Sequence, residues 1–358
     1  MKCNTKVIRK GFDKEKCFVH PKCCYTKDLM ITTAQYLTLA GSDLFSGIYM
    51  SKSTDEGKTW SELTLQKNLK PIIKDGLLTV CCDATPFYHK KTGKIIIIGH
   101  TASYEEGKTW PTGKTRYTFY SIYDREKDEF LQPKFLEMPK GFENCGSGCS
   151  QYVELNDGNM LIPVYYALNE NPKMFEVMVL KCSFDGENLK LLEMGAPLSL
   201  NIARGLCEPS VILHNGAYYI TIRNDECGLV AKSEDGLNYT DLQLWKWEDG
   251  SILENYNTQQ HFMEVNDNLY LVYTRRGLDN DHVFRHRAPL VAARVENMRV
   301  VKDSEFLIVP NRGARLGNFC AAPYKDKKSL VMVSEWMQPI GCEKYGSDNS
   351  LYLSIIEE

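Results

Sequence analysis

The sequence predicts an all-β protein and, more narrowly, a six-bladed β-propeller. Two repeats support this prediction, together with the near absence of helical periodicity. Short runs rich in Ile, Val, Tyr, Phe and Thr alternate with clusters of Gly, Asn, Asp and Pro throughout the 358 residues. Such runs are typical of strands, and such clusters are typical of the turns between them. The chain is therefore expected to form antiparallel sheets joined by tight turns.

The larger repeat is a β-hairpin that occurs six times. The clearest copy covers residues 207–224, where Asn215-Gly216 joins two apolar strands, and Asn-Gly is the strongest short hairpin signal. Each interval between copies leaves room for two further strands. The repeat thus predicts six four-stranded units around a central channel, in one domain covering residues 1–358. The six copies begin at Phe18, Asp83, Gly148, Glu208, Asn257 and Arg315.

The smaller repeat is a turn of the form Ser-x-Asp-x-Gly-x-Thr-Trp. It is complete at residues 53–60, and shorter forms occur at residues 183–186 and 233–239. In such a turn the Asp accepts hydrogen bonds from backbone N–H groups and the Gly takes a left-handed conformation. We therefore expect Asp55, Asp185 and Asp235 to be structural, in the outer half of a blade. Residues 103–110 have Glu105 in place of this Asp and are interpreted as a loop.

Composition limits the partners of the protein. The formal net charge is -3, without a basic run or an acidic tail, which argues against nucleic acid and membrane surfaces. No apolar stretch approaches the length of a membrane span. The thirteen cysteines have irregular spacings, and no export signal precedes them, which indicates reduced thiols in a cytoplasmic protein and no metal site. We expect no cofactor, and a monomer or weak homo-oligomer.

Polar residues mark the open ends of the six hairpins, where a packed core would be apolar. Glu208 and Arg223 end the two strands of the fourth hairpin and are expected to lie side by side, although a purely structural ion pair is an alternative. Successive side chains of a strand point to opposite faces, so only one of Arg275 and Arg276 can face the channel. We expect this to be Arg276. If the open ends share one end of the channel, their side chains form a polar site. The residues expected to bind substrate there are His20, Asp83, His100, Arg223, Gln260, Arg276, Arg287 and Arg315, with Tyr166 beside them.

The turn motif resembles the aspartate box of the sialidase (neuraminidase) superfamily, and the blade order is similar over essentially the whole chain. The tracts NTQQH, TRRG and GCEKYGSDNS are similar to those of sialidase-like bacterial proteins of unassigned substrate. The resemblance implies an arginine clamp for a sugar carboxylate, a tyrosine nucleophile with a glutamate partner, and an aspartate acid. By position it implies Asp43 as the acid, Glu208 as the glutamate and Arg223 as a clamp arginine.

Two positions depart from the family pattern. Residues 18–21 are Phe-Val-His-Pro where the family has F-R-I-P, and the sixth hairpin opens with Arg-Leu-Gly-Asn-Phe, without a tyrosine. These departures weaken the expectation of true sialidase activity. We expect a sialidase-like exo-glycosidase for a small acidic saccharide, with Asp43 as acid and Glu208 as base.

Other functions stay open at the level of sequence. In a uronate-type polysaccharide lyase, His100 or His261 would remove a proton beside an arginine-neutralised carboxylate. A non-catalytic carbohydrate-binding propeller would bind a saccharide without turnover. A protein-interaction scaffold would show a blocked channel and an apolar patch on its rim.

Overall fold

A computed structural model of the chain describes residues 1–40, 43–105, 107–108, 111, 116–168 and 171–358. The box-like stretch at residues 103–110 therefore lies partly outside the described residues. Twenty-eight strands form six antiparallel sheets in this part of the chain, and the first strand, β1 (Lys2–Arg9), belongs to the last sheet. The first sheet contains β2 (Lys16–Tyr25), β3 (Met30–Thr38), β4 (Phe45–Ser53) and β5 (Thr64–Leu65).

The second and third sheets follow in chain order. The second contains β6 (Ile72–Lys74), β7 (Leu77–His89), β8 (Lys94–Tyr104), β9 (Thr118–Asp124), β10 (Glu129–Phe130) and β11 (Lys134–Phe135). The third contains β12 (Cys145–Gly146), β13 (Val153–Glu154), β14 (Met160–Tyr166), β15 (Glu176–Phe184) and β16 (Leu189–Met194).

The remaining three sheets complete the propeller. The fourth contains β17 (Cys207–His214), β18 (Ala217–Arg223), β19 (Gly228–Ser233) and β20 (Thr240–Leu244). The fifth contains β21 (His261–Val265), β22 (Asn268–Tyr273), β23 (Leu290–Glu296), β24 (Arg299–Val300) and β25 (Phe306–Val309). The sixth contains β26 (Cys320–Tyr324), β27 (Lys328–Ser334), β28 (Leu351–Glu357) and β1.

In the part of the chain that the structure describes, helical structure is confined to single 3-10 turns. They are found at Lys67–Leu69, Phe284–His286, Lys302–Ser304 and Cys342–Tyr345. Within the described ranges, no helix has the length and apolar character needed to cross a bilayer.

The six sheets close into a ring. Strands β2 and β7 contact each other, and so do β8 and β12, β14 and β17, β17 and β21, β21 and β26, and β26 and β2. The last contact joins the end of the chain to its beginning. Strand β1 seals the ring, since it pairs with β28 from Lys2 opposite Glu357 to Arg9 opposite Leu351. The expected six-bladed β-propeller is confirmed, with each of the six hairpins in its expected place.

The core lies between neighbouring sheets, and strand alternation explains how one strand serves two interfaces. Ile95 and Ile97 of β8 pack into the cluster between the first and second sheets. Ile96 and Ile98 pack into the cluster between the second and third sheets. Successive side chains of a strand point to opposite faces, so a blade with neighbours on both faces needs a continuous apolar run.

The Ser-x-Asp turns are structural, as expected. Each connects the third and fourth strands of a sheet. The carboxylate of Asp55 accepts hydrogen bonds from the backbone N–H of Thr59, at 2.9 and 3.1 Å, and from the hydroxyls of Thr59 and Ser53. Trp60 Nε1 donates to the carbonyl of Gly57 at 3.0 Å, which fastens the aromatic ring to the turn. The hydrogen bonds from Thr59 hold the pKa of Asp55 well below its usual range.

The cysteines are free thiols rather than disulfide partners. All thirteen are unbridged, and eleven of them are buried. Cys3 and Cys227 are the partly exposed pair. The thiols thus behave as small core residues, as the irregular spacings indicate.

Candidate functional site

A cavity of about 420 Å³ lies where the six sheets meet, and each sheet or an adjoining loop contributes to its wall. This volume is within the range of small-molecule sites. The described wall contains six arginines and three carboxylates, so positive charge is in excess. The charged and histidine residues of the wall are Asp43, Asp83, Glu208, Arg116, Arg204, Arg223, Arg285, Arg287, Arg315, His20 and His100.

A repeated backbone feature turns side chains into this cavity. Five residues, one in or next to each of the first five sheets, have left-handed conformations with φ between 46° and 59°. They are His20, Asp83, Cys149, Glu208 and Asn257. In β2, β7 and β17 the left-handed residue coincides with a shift in strand register. Such bulges insert an extra residue and re-aim its side chain. Non-glycine residues adopt this conformation at an energetic cost, and it is concentrated at functional sites.

Glu208 and Arg223 form the ion pair expected from the fourth hairpin. Arg223 Nη1 donates to Glu208 Oε1 at 2.5 Å, and Arg223 Nη2 donates to Asn257 Oδ1 at 2.9 Å. Burial would raise the pKa of Glu208, but the charge and the hydrogen bond of Arg223 hold it below its usual value. Glu208 Oε2 is buried and accepts no hydrogen bond from the described residues. The cavity therefore contains a carboxylate with one unengaged oxygen.

Asp83 lies between two histidines. His20 Nδ1 is 2.6 Å from Asp83 Oδ1, and His100 Nε2 is 3.4 Å from Asp83 Oδ2. Burial would raise the pKa of Asp83, but its electrostatic interaction with His20 lowers it far below its usual value. Burial, together with the positive charge of Arg116, lowers the pKa of His100 to about 3. His100 is therefore a neutral imidazole at neutral pH.

One group in the wall has the composition of a metal site. Cys82, Asp83 and His100 bring a sulfur, a carboxylate oxygen and a ring nitrogen within 4.8 Å of one another. Burial, however, raises the pKa of the Cys82 thiol well above its usual value, and a metal binds the thiolate. Asp83 is also engaged by His20 and by Cys149 Sγ, which donates to Oδ1 at 3.1 Å. These groups are poorly suited to a cation, and we assign no metal to them.

Arginines crowd the wall formed by the fifth and sixth sheets. Arg287 donates from Nε to the carbonyl of Asn257 at 2.9 Å and pairs with no carboxylate of the described residues. The Arg315 guanidinium lies 4.3 Å from the centroid of the Trp336 ring. Burial and the charge of Arg223 lower the pKa of Arg287 well below its usual value. Burial lowers the pKa of Arg315 to about 10. A bound anion would relieve this crowding of like charges.

Asp43 lines the same cavity as Glu208. It lies just before β4, in the loop that precedes the first Ser-x-Asp turn. Its φ of 57° is left-handed, and its backbone carbonyl accepts a hydrogen bond from the hydroxyl of Tyr104. The two carboxylates therefore share one end of the channel, although the first and fourth sheets carry them.

Most of the expected binding residues are in this cavity. Those that line it are His20, Asp83, His100, Arg223, Arg287 and Arg315. Of the other candidates, Gln260 and Arg276, expected to bind substrate, and His261, the possible catalytic base, do not line it.

His261 and Gln260 are held inside the protein. His261 Nδ1 is hydrogen-bonded to Ser210 Oγ at 2.8 Å, and Nε2 to the carbonyl of Phe319 at 3.1 Å. Both ring nitrogens therefore join neighbouring sheets. Gln260 Oε1 accepts from Thr221 Oγ1 at 2.9 Å, and its Nε2 donates to a backbone carbonyl. Their polar atoms are used by the scaffold rather than presented to a ligand.

Arg276 is exposed rather than turned toward the channel. Strand β22 ends at Tyr273, so the alternation expected for Arg275 and Arg276 does not extend to them. The Arg276 guanidinium lies 4.1 Å from the Tyr256 ring centroid. Arg275 instead pairs with Glu305 at 2.7 Å.

Sequence reasoning missed several polar residues of the wall, among them Arg116, Arg204 and Tyr165. The two arginines lie between strands, outside the repeated hairpins, and no pattern marks them. Tyr166 was expected in place of Tyr165. Instead, Tyr166 packs between the second and third sheets and donates to Glu176 Oε2 at 2.6 Å. Every residue of β14 is buried, so alternation along the strand does not by itself show which of the two tyrosines faces the cavity.

Comparison with known proteins identifies the class of fold. No protein-family model and no curated protein sequence matches the chain. A protein of unknown function from Dyadobacter fermentans is 14% identical, with a TM-score of 0.69 over 99% of this chain and 98% of its own. Trypanosoma rangeli sialidase, in complex with the inhibitor DANA, is 16% identical, with a TM-score of 0.63 over 95% of this chain and 55% of its own. The NanB sialidase of Streptococcus pneumoniae is 13% identical, with a TM-score of 0.65 over 98% of this chain and 70% of its own.

The chain therefore has the fold of the sialidase-like six-bladed propellers. At these identities the likeness concerns the fold alone. The chain spans 55% of the length of the trypanosomal sialidase. Arguments about chemistry have to come from the residues of its own cavity.

Proposed function

We propose that the protein is a glycoside hydrolase that removes a small acidic saccharide, with Asp43 as general acid and Glu208 as general base. The observation that supports this proposal is that both carboxylates line one cavity together with an excess of arginines. Two positioned carboxyl groups are the usual requirement for glycoside hydrolysis.

The surroundings of Glu208 suit it to act as the base, and the role of Asp43 is the one that the family resemblance implies. Glu208 is ionised because Arg223 lowers its pKa, and its unengaged Oε2 is available to take a proton from water. The activated water attacks the anomeric carbon while the glycosidic C–O bond breaks. Asp43 donates its proton to the departing oxygen. Because the sixth hairpin opens without a tyrosine, this direct displacement, which inverts the anomeric centre, replaces a tyrosine-linked intermediate.

The charge of the cavity indicates the class of sugar. Arg287 and Arg315 lie in the wall with lowered pKa values, and Arg287 has no carboxylate partner in the described chain. A substrate carboxylate can accept two parallel hydrogen bonds from a guanidinium, and this geometry favours carboxylates over neutral hydroxyls. The proposed substrate is therefore a sialoside or a uronide rather than a neutral glycoside.

Turnover of aryl glycosides tests the proposal. Wild type is expected to release the aryl group from an acidic member of a panel that includes a sialoside, uronides and neutral sugars. Asp43→Asn and Glu208→Gln should each lower kcat/KM by about 10²-fold or more. The matched controls are Asp303→Asn and Glu234→Gln, which neutralise exposed carboxylates away from the cavity. Equal activity in Glu208→Gln and wild type would reject the assigned base.

A second function, a uronate lyase, is favoured by one observation. His100 is neutral because its pKa is lowered to about 3, and it lies near the positive charge of Arg116. Arg116 would neutralise the uronate carboxylate, and His100 would take the proton from the adjacent carbon. The C–O bond one carbon further then breaks, and a C=C double bond forms.

The same panel separates the alternatives. A lyase would produce the ultraviolet absorbance of an unsaturated uronate and would depend on His100, whereas a hydrolase would not produce this absorbance. Saccharide binding without either product would indicate a non-catalytic carbohydrate-binding propeller.

A further inference from the structure

Arg116 is an arginine of the cavity to which the proposed hydrolysis gives no role. Its guanidinium lies 4.6 Å from the Tyr165 ring centroid and 5.2 Å from that of Phe175. Its Nη1 is buried, yet it donates no hydrogen bond to any residue that the structure describes. A buried donor without an acceptor is costly, most of all on a charged group, so such atoms call for an explanation.

Two glycines make room for this part of the wall. A Cβ atom on Gly146 would lie 2.3 Å from Cδ of Arg116, and a Cβ on Gly148 would lie 1.8 Å from Nδ1 of His100. Neither position could carry a side chain without displacing the neighbour. The Cys-Gly-Ser-Gly-Cys segment of the third sheet therefore forms a cradle for the arginine and the histidine.

The charge of Arg116 is not balanced by its neighbours. Asp83, a carboxylate of the same wall, is engaged by His20 and by the thiol of Cys149. No ion pair joins Arg116 to any carboxylate in the described ranges. The guanidinium thus faces a cavity with an unmet capacity to bind an oxyanion.

Arg116 is also separate from Arg287, which likewise forms no ion pair with a carboxylate of the described residues. It lies in the second sheet, just before β9, whereas Arg287 lies between β22 and β23 of the fifth sheet. In a ring of six blades the second and the fifth are opposite each other. The cavity therefore offers two cationic positions on opposing walls.

We propose that Arg116 forms a second anion subsite, which binds an oxyanion of the substrate other than the carboxylate held near Arg287 and Arg315. The ligand class is a doubly anionic saccharide, with a sulfate ester, phosphate ester or second carboxylate as the additional group. This inference rests on the proposed function only in taking the ligand to be an acidic saccharide. The planar fork of Arg116 supplies the hydrogen bonds, and the Tyr165 and Phe175 rings hold its plane.

Selenate, an analogue of sulfate that can be located by its anomalous scattering, tests the subsite directly. Crystals of the wild type soaked in selenate should show an anomalous selenium peak at about 3.5–4 Å from Arg116 Nη1, with a selenate oxygen within hydrogen-bond distance of that atom. Crystals of Arg116→Gln should lose this peak and keep any peak near Arg287. No peak at Arg116, or the same peak in Arg116→Gln, would overturn the proposal.

Solution binding supplies the magnitude and identifies the anion. Calorimetry should show that Arg116→Gln raises the dissociation constant for sulfate about tenfold or more, because a charge-assisted hydrogen bond is lost. Arg204→Gln is the matched control, because Arg204 already pairs with Asp225 at 3.3 Å. Malonate and phosphate, titrated in parallel, distinguish a carboxylate from an ester oxyanion. Equal sulfate affinity in wild type and Arg116→Gln would reject the subsite.

Two further variants separate binding from folding and from turnover. Gly146→Ala leaves the charge of Arg116 unchanged but displaces its side chain, and should also weaken sulfate binding. Asp43→Asn removes the proposed acid and should leave sulfate binding at Arg116 intact. Loss of turnover with retained sulfate binding would support the subsite alone, and turnover without sulfate binding at Arg116 would reject it.

Discussion

Glu208 illustrates how one backbone conformation creates a functional position. Its φ of 46° is left-handed, which costs about 1–2 kcal/mol for a residue with a side chain. Glu208 lies in the bulge between Cys207 and Ser210. The bulge directs its carboxylate into the cavity rather than into the core between sheets. His20 and Asp83 reach the cavity by the same device. In these three residues the strained conformation places a side chain in the cavity.

His100 makes the stability of the protein depend on pH. Its folded pKa of about 3 lies below the value of 6.5 for an unperturbed histidine, so the unfolded chain binds a proton in this interval and the folded chain does not. Stability is therefore lost as pH falls from 6.5 toward 3. Between about pH 7.5 and pH 5, this residue should lower the free energy of unfolding of the wild type by about 2 kcal/mol.

Urea unfolding of wild type and His100→Gln at the two pH values measures this term. The variant should lose about 2 kcal/mol less than the wild type over the same interval. The neighbouring Asp83 stays ionised at both pH values because His20 lowers its pKa, so it cancels in the comparison. Equal pH slopes in the two proteins would show that the native ring takes up the proton.

At the scale of single elements, the Ser-x-Asp turn is the best determined piece of the chain. In the copy of the fourth sheet, Asp235 Oδ1 accepts from the backbone N–H of Leu237 and Asn238, both at 2.8 Å. Ser233 Oγ donates to the same oxygen at 2.8 Å. The turn is local, so its geometry depends on a few adjacent residues and can be recognised from sequence.

Removing the Asp235 carboxylate should therefore affect stability and not the cavity. Asp235→Ala leaves two backbone N–H groups without a partner, and we expect the free energy of unfolding to fall by about 1 kcal/mol. Its neighbour Glu234 is also exposed, so Glu234→Ala removes the same charge without touching these hydrogen bonds. Chemical denaturation compares the two variants. A loss of equal size in both would assign the effect to charge rather than to the turn.

Element prediction succeeded for hairpins and failed where strand ends mattered. The Asn215-Gly216 turn and the two flanking strands lie where the sequence puts them, because turn chemistry and apolar alternation are local signals. The assignment of Arg276 to the channel failed because β22 ends at Tyr273. Tyr166 was expected to face the cavity, but Tyr165 does. The orientation of β14 is set by packing against the neighbouring sheets, which its own residues do not reveal.

For the whole molecule, the closure by β1 is the feature on which the ring depends. This strand comes from the start of the chain and covers the edge of β28 at the end of the chain. Without it, β28 would present unpaired N–H and C=O groups at an open sheet edge. The sixth sheet would also lose packing, since Cys3 contacts the cluster between the fifth and sixth sheets.

Deletion of residues 1–11 should therefore weaken the whole propeller. We expect the midpoint of thermal unfolding to fall by about 5–10 °C and the protein to associate through the open edge. Adding a synthetic peptide of residues 1–11 should restore the midpoint and the elution volume of the full-length protein. An unchanged midpoint after deletion would show that β28 does not need its partner.

The cavity is likewise a property of the whole molecule. Five charged residues of the wall come from five different sheets or from the loops next to them. They are Asp43, Asp83, Glu208, Arg287 and Arg315. These side chains lie close together because the ring of sheets closes, which brings distant parts of the sequence to one end of the channel. The excess of arginines over carboxylates is visible only after this step.

The sequence by itself determined the fold class, the six hairpins, the Ser-x-Asp turns and the pair formed by Glu208 and Arg223. All of these depend on interactions within one hairpin or one turn, where spacing along the chain sets spacing in space. Only the tertiary structure decided that Arg116 faces the cavity while His261 serves the scaffold. Loop residues such as Arg116 follow no periodic pattern, and the partners of a buried histidine come from neighbouring sheets. The direction of these side chains was set by packing between blades, which no local pattern encodes.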